Sequence, residues 1–415
     1  MGQCILCLVL IRKSFRYRVY PTTKQVERLG AWEGALRFLW NLALEQRRMG
    51  LARPRDERVF VTAFDQINQL TELRAALPWL ADVPRNVCAE LLVSLDKAWS
   101  RCFKRLARAP RFKRRGRDEL GFTEPHPKSW RLDGSTLRFP KLGNLRAVIH
   151  RPLEGKPKTC TLRREGNQWL ASILCEIEVA DPVQRTGPVI ALDRGVVNAV
   201  ATSDGDIVRA PRHLEVSAKR LARAERAVSR RKKGSKNREK AKARVSVLHR
   251  KVRRQREHFL HGLTTKMAKS HGIVVVEKLQ VKAMTASAAG TLEEPGRNVR
   301  QKAGLNRAIL GVGWGRMVEM LGYKLGWSGG TLVEVPAAYS SQTCSSCGGV
   351  DAESRASQSV FCCTSCGYRD HADLNAAKVL KSRGNPSALL ASGSVRTASK
   401  KRLRVARRSP ESSGL

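Results

Sequence analysis

The sequence predicts a mixed α/β chain of several domains, and three observations lead there. Short runs alternating apolar and polar residues fill positions 130–178, apolar residues three and four apart mark helical stretches on either side, and two fully apolar runs each close on an acid, Asp193 and Glu277. With 415 residues and 42% hydrophobic content the chain can bury a core and fill two or three domains.

The elements follow in order. Phe15-Arg-Tyr-Arg-Val-Tyr20 alternates with period two, a strand with one basic face, and Pro21-Thr22-Thr23-Lys24-Gln25 offers a capping box for the helix after it. Leu29, Trp32, Leu36, Leu39 and Ala43 form that helix's apolar stripe, with Gly50 as its expected stop. A second helix is expected from Pro84 to about Leu106 on the stripe Leu91, Leu95, Trp99 and Phe103. The alternating runs from Trp130 to Glu178 read as a small antiparallel barrel or sheet, which makes the helices a block inserted between strands. A buried strand then ends at Asp193, Val196–Thr202 and Ile207–Ala210 complete a meander, and Gly234-Ser235 divides two long basic helices. Beyond them come a strand ending at Glu277, a helix around Leu305–Leu325, the strand Thr331–Val335, a cysteine cluster and a helix from Asp373. Past Lys381 the sequence is rich in Ser, Arg, Gly and Ala without periodicity, and disorder is expected.

Charge points to the partner. Lys and Arg number 78 against 36 Asp and Glu, leaving +42, an excess that marks a polyanion-binding protein with steeply salt-dependent affinity. Between Lys219 and Arg256 eighteen residues are Lys or Arg and two are acids, too few for ordinary surface ion pairing, so this stretch is expected to contact nucleic acid. Arg108-Ala-Pro-Arg-Phe-Lys-Arg-Arg-Gly-Arg117 interleaves six cations with one aromatic ring, a mixture that holds phosphates and stacks a base; a solvated loop is the alternative. No apolar run approaches the ~20 residues of a membrane helix. The stretch Cys4–Ile11 follows no basic residue and precedes no small-residue cleavage site, so it reads as an N-terminal extension rather than a secretion signal. Cysteines outside the cluster lack framework spacing, which fits a reducing cytoplasm, with the chain associated with the nucleoid.

The chemistry rests on seven residues. Cys344-Ser-Ser-Cys347 and Cys363-Thr-Ser-Cys366, fifteen residues apart, have the spacing of two knuckles closing a tetrahedral thiolate site around zinc, with structural disulfides as the alternative. Gly348 and Gly367 permit the turns that aim backbone amides at the sulfurs, and Cys362 is left out because it would alter the second knuckle. Asp193, Glu277 and Asp373 each have a plain explanation singly: a turn, a solvated strand end, and the cap of the last helix. Jointly they differ, because the first two follow apolar strands of a central sheet and their carboxylates would emerge together. Three hard oxygen donors suit Mg²⁺ or Mn²⁺, and two such ions would cleave a phosphodiester by in-line displacement.

These residues carry a family resemblance. Ala-Leu-Asp193-Arg-Gly-Val-Val-Asn-Ala-Val-Ala-Thr-Ser-Asp-Gly205, Val-Val-Val-Glu277-Lys-Leu-Gln-Val-Lys-Ala-Met284, Ser341-Gln-Thr-Cys-Ser-Ser-Cys-Gly348 and Asp373-Leu-Asn-Ala-Ala377 resemble, in order, the RuvC segments and zinc ribbon of the transposon-encoded TnpB (OrfB) proteins, relatives of the type V CRISPR effector nucleases. The likeness is strongest over 187–380 and extends more weakly to Phe15–Pro21 and Pro110–Lys113. It implies an RNase H-like RuvC nuclease domain (184–338 and 371–382) with an inserted zinc ribbon (339–370). Ahead of these it implies a β-barrel wedge domain (15–22 and 107–183) carrying a helical recognition insert (23–106), with an extension at 1–14 and a disordered basic tail at 383–415. By the same resemblance Asp193, Glu277 and Asp373 bind catalytic magnesium, Cys344, Cys347, Cys363 and Cys366 bind structural zinc, and a guide RNA from the transposon end directs cleavage of double-stranded DNA beside a short adjacent motif. A companion transposase encoded by the same element is a further implied partner. Two alternatives stand beside this reading: an unguided DNA transposase or recombinase using the same acids, and a nuclease-inert RNA- or DNA-binding regulator.

Overall fold

The computed structural model describes residues 8–182, 185, 187–291 and 293–384. They divide into two compact units, Leu10–Glu178 and a second made chiefly of the chain from Val179 onward.

In the first unit β1 (Leu8–Tyr20) leads into α1 (Thr23–Ala52), α2 (Ala63–Ala76), α3 (Pro78–Ala81) and α4 (Arg85–Phe103). The strands β2 (Phe122–Glu124), β3 (Arg131–Asp133), β4 (Thr136–Phe139), β5 (Gly143–Val148), β6 (Lys156–Glu165) and β7 (Gln168–Ala180) then join β1 in a seven-stranded sheet of order β2-β6-β7-β1-β5-β4-β3. The helical block thus lies in the chain between two strands of one sheet. The expected capping box is present: Gln25 donates its amide to the Thr22 hydroxyl at 3.4 Å, and the Thr22 amide donates to Gln25 Oε1 at 2.9 Å. Gln25 Nε2 also donates to the carbonyls of Leu142 and Asn144 at 3.0 and 2.8 Å, which fastens the helix start to the loop before β5 and to β5 itself. The predicted stripe Leu29, Trp32, Leu36, Leu39 and Ala43 is buried, and Trp32 meets Phe122 of β2 edge-on, so one core serves helix and sheet.

Some boundaries differ from the sequence reading. β1 begins at Leu8, within the stretch assigned to an extension, and residues 12–14 of that stretch are fastened by an Arg12–Glu176 ion pair and a Ser14–Ser172 hydrogen bond to β7 and by a Lys13–Glu154 ion pair to the loop before β6. α1 passes Gly50 and ends at Ala52, and α4 ends at Phe103 with that ring exposed. α2 was not anticipated, since only Gln66 and Leu70 of its length are buried and its periodicity is faint.

The second unit contains β8 (Val189–Asp193), β9 (Asn198–Thr202), β10 (Ile207–Arg209), α5 (His213–Ser229), α6 (Lys236–Ser270), β11 (Ile273–Glu277), α7 (Val281–Met284), α8 (Val299–Val312), α9 (Trp314–Ser328) and β12 (Thr331–Val335), then β13 (Val360–Cys362), β14 (Arg369–His371) and α10 (Ala372–Arg383). Its main sheet has the order β10-β9-β8-β11-β12, with β8, β11 and β12 parallel and the β8-β9-β10 meander antiparallel. The two basic helices break where expected, at Gly234-Ser235, and Ser235 caps α6. The single helix expected around Leu305–Leu325 is two, α8 and α9. Gly313 separates them with a φ of +84°, a left-handed conformation that favours glycine, and a Cβ there would come within 3.3 Å of Leu260 Cδ1 of α6. Of the tail expected to be disordered, Arg383 belongs to α10 and residues 385–415 lie outside the described residues. Among the described residues no helix is long and apolar enough to cross a membrane.

The α1 cap gives a graded prediction. Thr22→Ala removes one cap bond and should cost about 1 kcal/mol in chemical denaturation, whereas Gln25→Ala also strips two carbonyls of their donor and should cost about 2–3 kcal/mol.

Candidate active site

Side-chain parity decides where the acids go. Successive strand residues point to opposite faces, and in β8 Ile190 and Leu192 pack with α6 and α9 while Ala191 packs with α10. Asp193 shares the parity of Ala191. In β11 Val274 and Val276 likewise join the α6 and α9 side, Val275 joins the α10 side, and Glu277 shares the parity of Val275. Since Val275 lies opposite Ala191 and Val276 opposite Leu192 in a parallel ladder, the two carboxylates leave the same sheet edge on the same face. That face is covered by α10, whose first turn carries Asp373. The helix is capped by His371, whose Nδ1 accepts the Asp373 amide at 3.2 Å, so Asp373 is not the cap and its carboxylate is free for other work.

Each acid has a distinct setting. Glu277 is buried and held by Arg194, whose backbone amide donates to Oε1 at 3.1 Å, whose guanidinium lies 3.5 Å from the same oxygen, and whose terminal nitrogen donates to the Glu277 carbonyl. Asp373 accepts a hydrogen bond from Asn198 at 2.9 Å and faces Arg355 at 3.9 Å. Asp193 is half-buried, and burial followed by the charges of Glu277 and Asp373 pushes its carboxyl up to about 8. Burial also raises Glu277, against the opposing pull of Arg194. Three carboxyl groups thus face two guanidinium groups, and the proton that Asp193 keeps until about pH 8 is what a divalent cation would displace. The three carboxylates do not all come within 4.8 Å of one another; Arg194 holds one, and Asn198 and Arg355 another.

The sulfur atoms of Cys344, Cys347, Cys363 and Cys366 do all lie within 4.8 Å, the one such group among the described residues. Cys344 pairs with Cys366 at 3.7 Å and Cys347 with Cys363 at 3.6 Å, too long for disulfides and suited to a shared tetrahedral cation. Gly348 and Gly367 turn at φ +77° and +74°, and the amides of Ser346, Gly349 and Cys366 point at the sulfurs. The Cys366 amide is the largest influence holding the Cys363 thiol down to about 6. Cys362 sits on β13 outside the group.

A residue the sequence reading passed over joins the two centres. Asn375 is fully buried; its Oδ1 accepts the Ser345 amide at 2.9 Å and its Nδ2 donates to the Thr343 carbonyl at 2.8 Å. It bolts the first cysteine knuckle to the turn bearing Asp373. Arg194, Asn198 and Asn375 all stood within the motif blocks and could have been found by asking what orients each acid. Arg355 lies in an aperiodic loop and carries no sequence signal.

Comparisons place this architecture. A family profile described as "Probable transposase", for OrfB of IS605 elements, matches residues 172–288, and one described as "Cas12f1-like, TNB domain" matches 314–380. A protein of Escherichia coli K12 named "Putative RNA-guided DNA endonuclease InsQ" is 35% identical over 92% of this chain and 94% of its own length. The chain belongs to the TnpB (IS605 OrfB) family. A protein of Streptomyces pristinaespiralis named "Putative RNA-guided DNA endonuclease" is 29% identical over 90% of both chains. Among solved structures, a Cas12f1–sgRNA–target DNA complex aligns with TM-score 0.53 at 13% identity, covering 91% of this chain and 99% of that one, a likeness of fold. A third profile, described as a helix-turn-helix domain, matches 11–53; in this TnpB-family chain those residues form most of β1 and the single helix α1.

The crowded carboxylates predict a gain in stability on their removal. A folded-state carboxyl raised to about 8 binds its proton more tightly than the unfolded chain does, so its contribution is lost as pH rises from about 4 toward 8. In chelator at pH 8, Asp193→Asn should therefore raise the melting temperature by a few degrees over wild type.

Proposed function

We propose that this TnpB-family chain is an RNA-guided, metal-dependent DNA endonuclease, and that Asp193, Glu277 and Asp373 form its hydrolytic centre on an RNase H-like RuvC sheet. The carrying observation is the shared parity of Asp193 and Glu277 on two parallel strands under the helix that bears Asp373. The sheet order, an antiparallel meander followed by two parallel strands, supports the RuvC assignment. On this reading β1 with β2–β7 is the wedge domain, α1–α4 the recognition domain and 339–370 the zinc ribbon.

The chain's own residues divide the labour. Arg194 fixes Glu277 by one oxygen and leaves the other to a cation; Asn198 orients Asp373; Arg355 lies close enough to Asp373 to pair with a phosphate oxygen entering the site. The three carboxylates would hold magnesium, which would supply water activation and stabilisation of charge at a departing 3′ oxygen. The four thiolates would hold zinc, and through Asn375 the zinc knuckle sets the start of α10. The basic faces of α5 and α6 offer phosphate contacts without sequence preference, which suits guide RNA and duplex DNA whose recognition lies in base pairing.

The decisive experiment is expression with native flanking DNA, purification at high salt, and sequencing of the retained RNA, followed by cleavage of a matching duplex. One discrete RNA from the transposon end and Mg²⁺-dependent cuts are expected. A smear of cellular RNA would overturn guidance, and joined rather than cut DNA would establish a transposase.

Two variants test the assigned roles. Asp193→Ala and Glu277→Gln should abolish cleavage while RNA retention stays within about twofold; the glutamine is needed because Glu277→Ala would leave Arg194 buried and unpaired, at about 3–5 kcal/mol. Cys363→Ser should lower zinc content measured by atomic absorption and raise hydrogen exchange over Ala372–Leu380.

A further inference from the structure

The basic stretch after α4 combines exposed side chains with a fastened backbone. Pro110–Arg117 is neither helix nor strand, yet α1 straps it down: Trp40 donates to the Arg111 carbonyl at 3.1 Å, Asn41 exchanges hydrogen bonds with the Lys113 backbone at 3.1 and 2.7 Å, and Arg48 donates to the Pro110 carbonyl at 3.0 Å. The Lys113 ammonium lies over the Trp40 ring at 4.9 Å, and the Arg48 guanidinium lies over the Phe112 ring at 4.7 Å. Fixing a loop of like charges costs both backbone entropy and repulsion, so its order calls for a compensating partner. Asp118 provides part of one, accepting the Arg114 amide at 3.0 Å and the Arg111 guanidinium at 3.1 Å; the Arg114 amide is the largest influence holding its carboxyl below the usual range. Among the described residues, no carboxylate pairs with the guanidinium groups of Arg114 and Arg117.

These two arginines, with Arg48, Arg111, Phe112 and Asp118, line a cavity of about 170 Å³. Phe112 keeps 39% of its surface exposed although one guanidinium already rests on its ring. We propose that this cavity is a single-nucleotide docking site: an unpaired base stacks on the exposed part of Phe112, and the phosphates flanking it pair with Arg114 and Arg117. A simple anion would need only the arginines. The aromatic plane among them is what fits a nucleotide, and because every base has a π-face the site takes any base identity. The proposal rests on the nuclease reading only in naming the strand's source, guide RNA or unwound DNA.

The test uses the full chain stripped of bound RNA and two photoreactive single strands, one RNA with 5-iodouridine and one DNA with 5-iodo-2′-deoxyuridine, each crosslinked by ultraviolet light and mapped by mass spectrometry. An adduct on the peptide containing Phe112 is expected. In Arg114→Ala/Arg117→Ala, with an unchanged melting temperature, that adduct should fall roughly tenfold as its phosphate contacts are lost. The stronger arm identifies the source strand. Adducts confined to α5, α6 or other peptides in both arms would overturn the site, and an undiminished Phe112 adduct in the double variant would overturn the phosphate pairing. Neither guide nor cleavage enters this assay, so a failure here leaves the nuclease reading to its own test, and a smear of RNA there leaves this site standing.

Discussion

The parallel register between β8 and β11 is the constraint on which the candidate site depends. With Val275 opposite Ala191, two strands distant in sequence present Asp193 and Glu277 at one edge and on one face. A slip of one residue in either strand would reverse its face, sending one carboxylate toward the Met317 and Leu321 side of the sheet. The apolar residues on both faces prevent that slip: Ile190, Leu192, Val274 and Val276 need α6 and α9, while Ala191 and Val275 need α10. Hydrophobic packing, which is not itself chemical, thus sets the geometry of the acids.

Electrostatics runs against packing at the same place. Most of the chain has positive charge to spare, yet its second unit gathers three carboxylates, and burial disfavours the ionised forms of two of them, Asp193 and Glu277. Arg194 offsets one of them at the cost of being buried itself, and burial lowers its own proton affinity. Such an arrangement stores instability that a bound cation would relieve, and sites that store it are commonly the working ones.

The sequence made the acids, the cysteines and most sheet strands legible because each leaves a local trace: an apolar run ending in Asp or Glu, a repeated Cys-x-x-Cys, a period of two. Gly234-Ser235 marked the break between α5 and α6 for the same reason. Long-range partners left no such trace. Arg355 acquires its role only when the loop after the first knuckle folds toward Asp373, and α2 hides because its neighbours cover so few of its residues. Gly313 was visible as a residue but not as a helix break, since glycines also occur inside the helices on either side of it.

The place of β1 in its sheet bears on how the chain is made. β1 is the first described element, but it pairs with β5, Arg18 facing Val148, and is flanked on its other edge by β7. At ribosomal speeds of about 5–20 residues per second, some ten seconds pass between the emergence of β1 and that of its partners. During that interval α1–α4 can form from local contacts while β1 waits with both edges open, the state most prone to pair with a neighbouring chain. Arg12, Arg16 and Arg18 share one parity of the strand, and their like charges work against such pairing between copies. The charge on this strand thus opposes mispairing at the stage when its hydrogen-bonding edges are least protected.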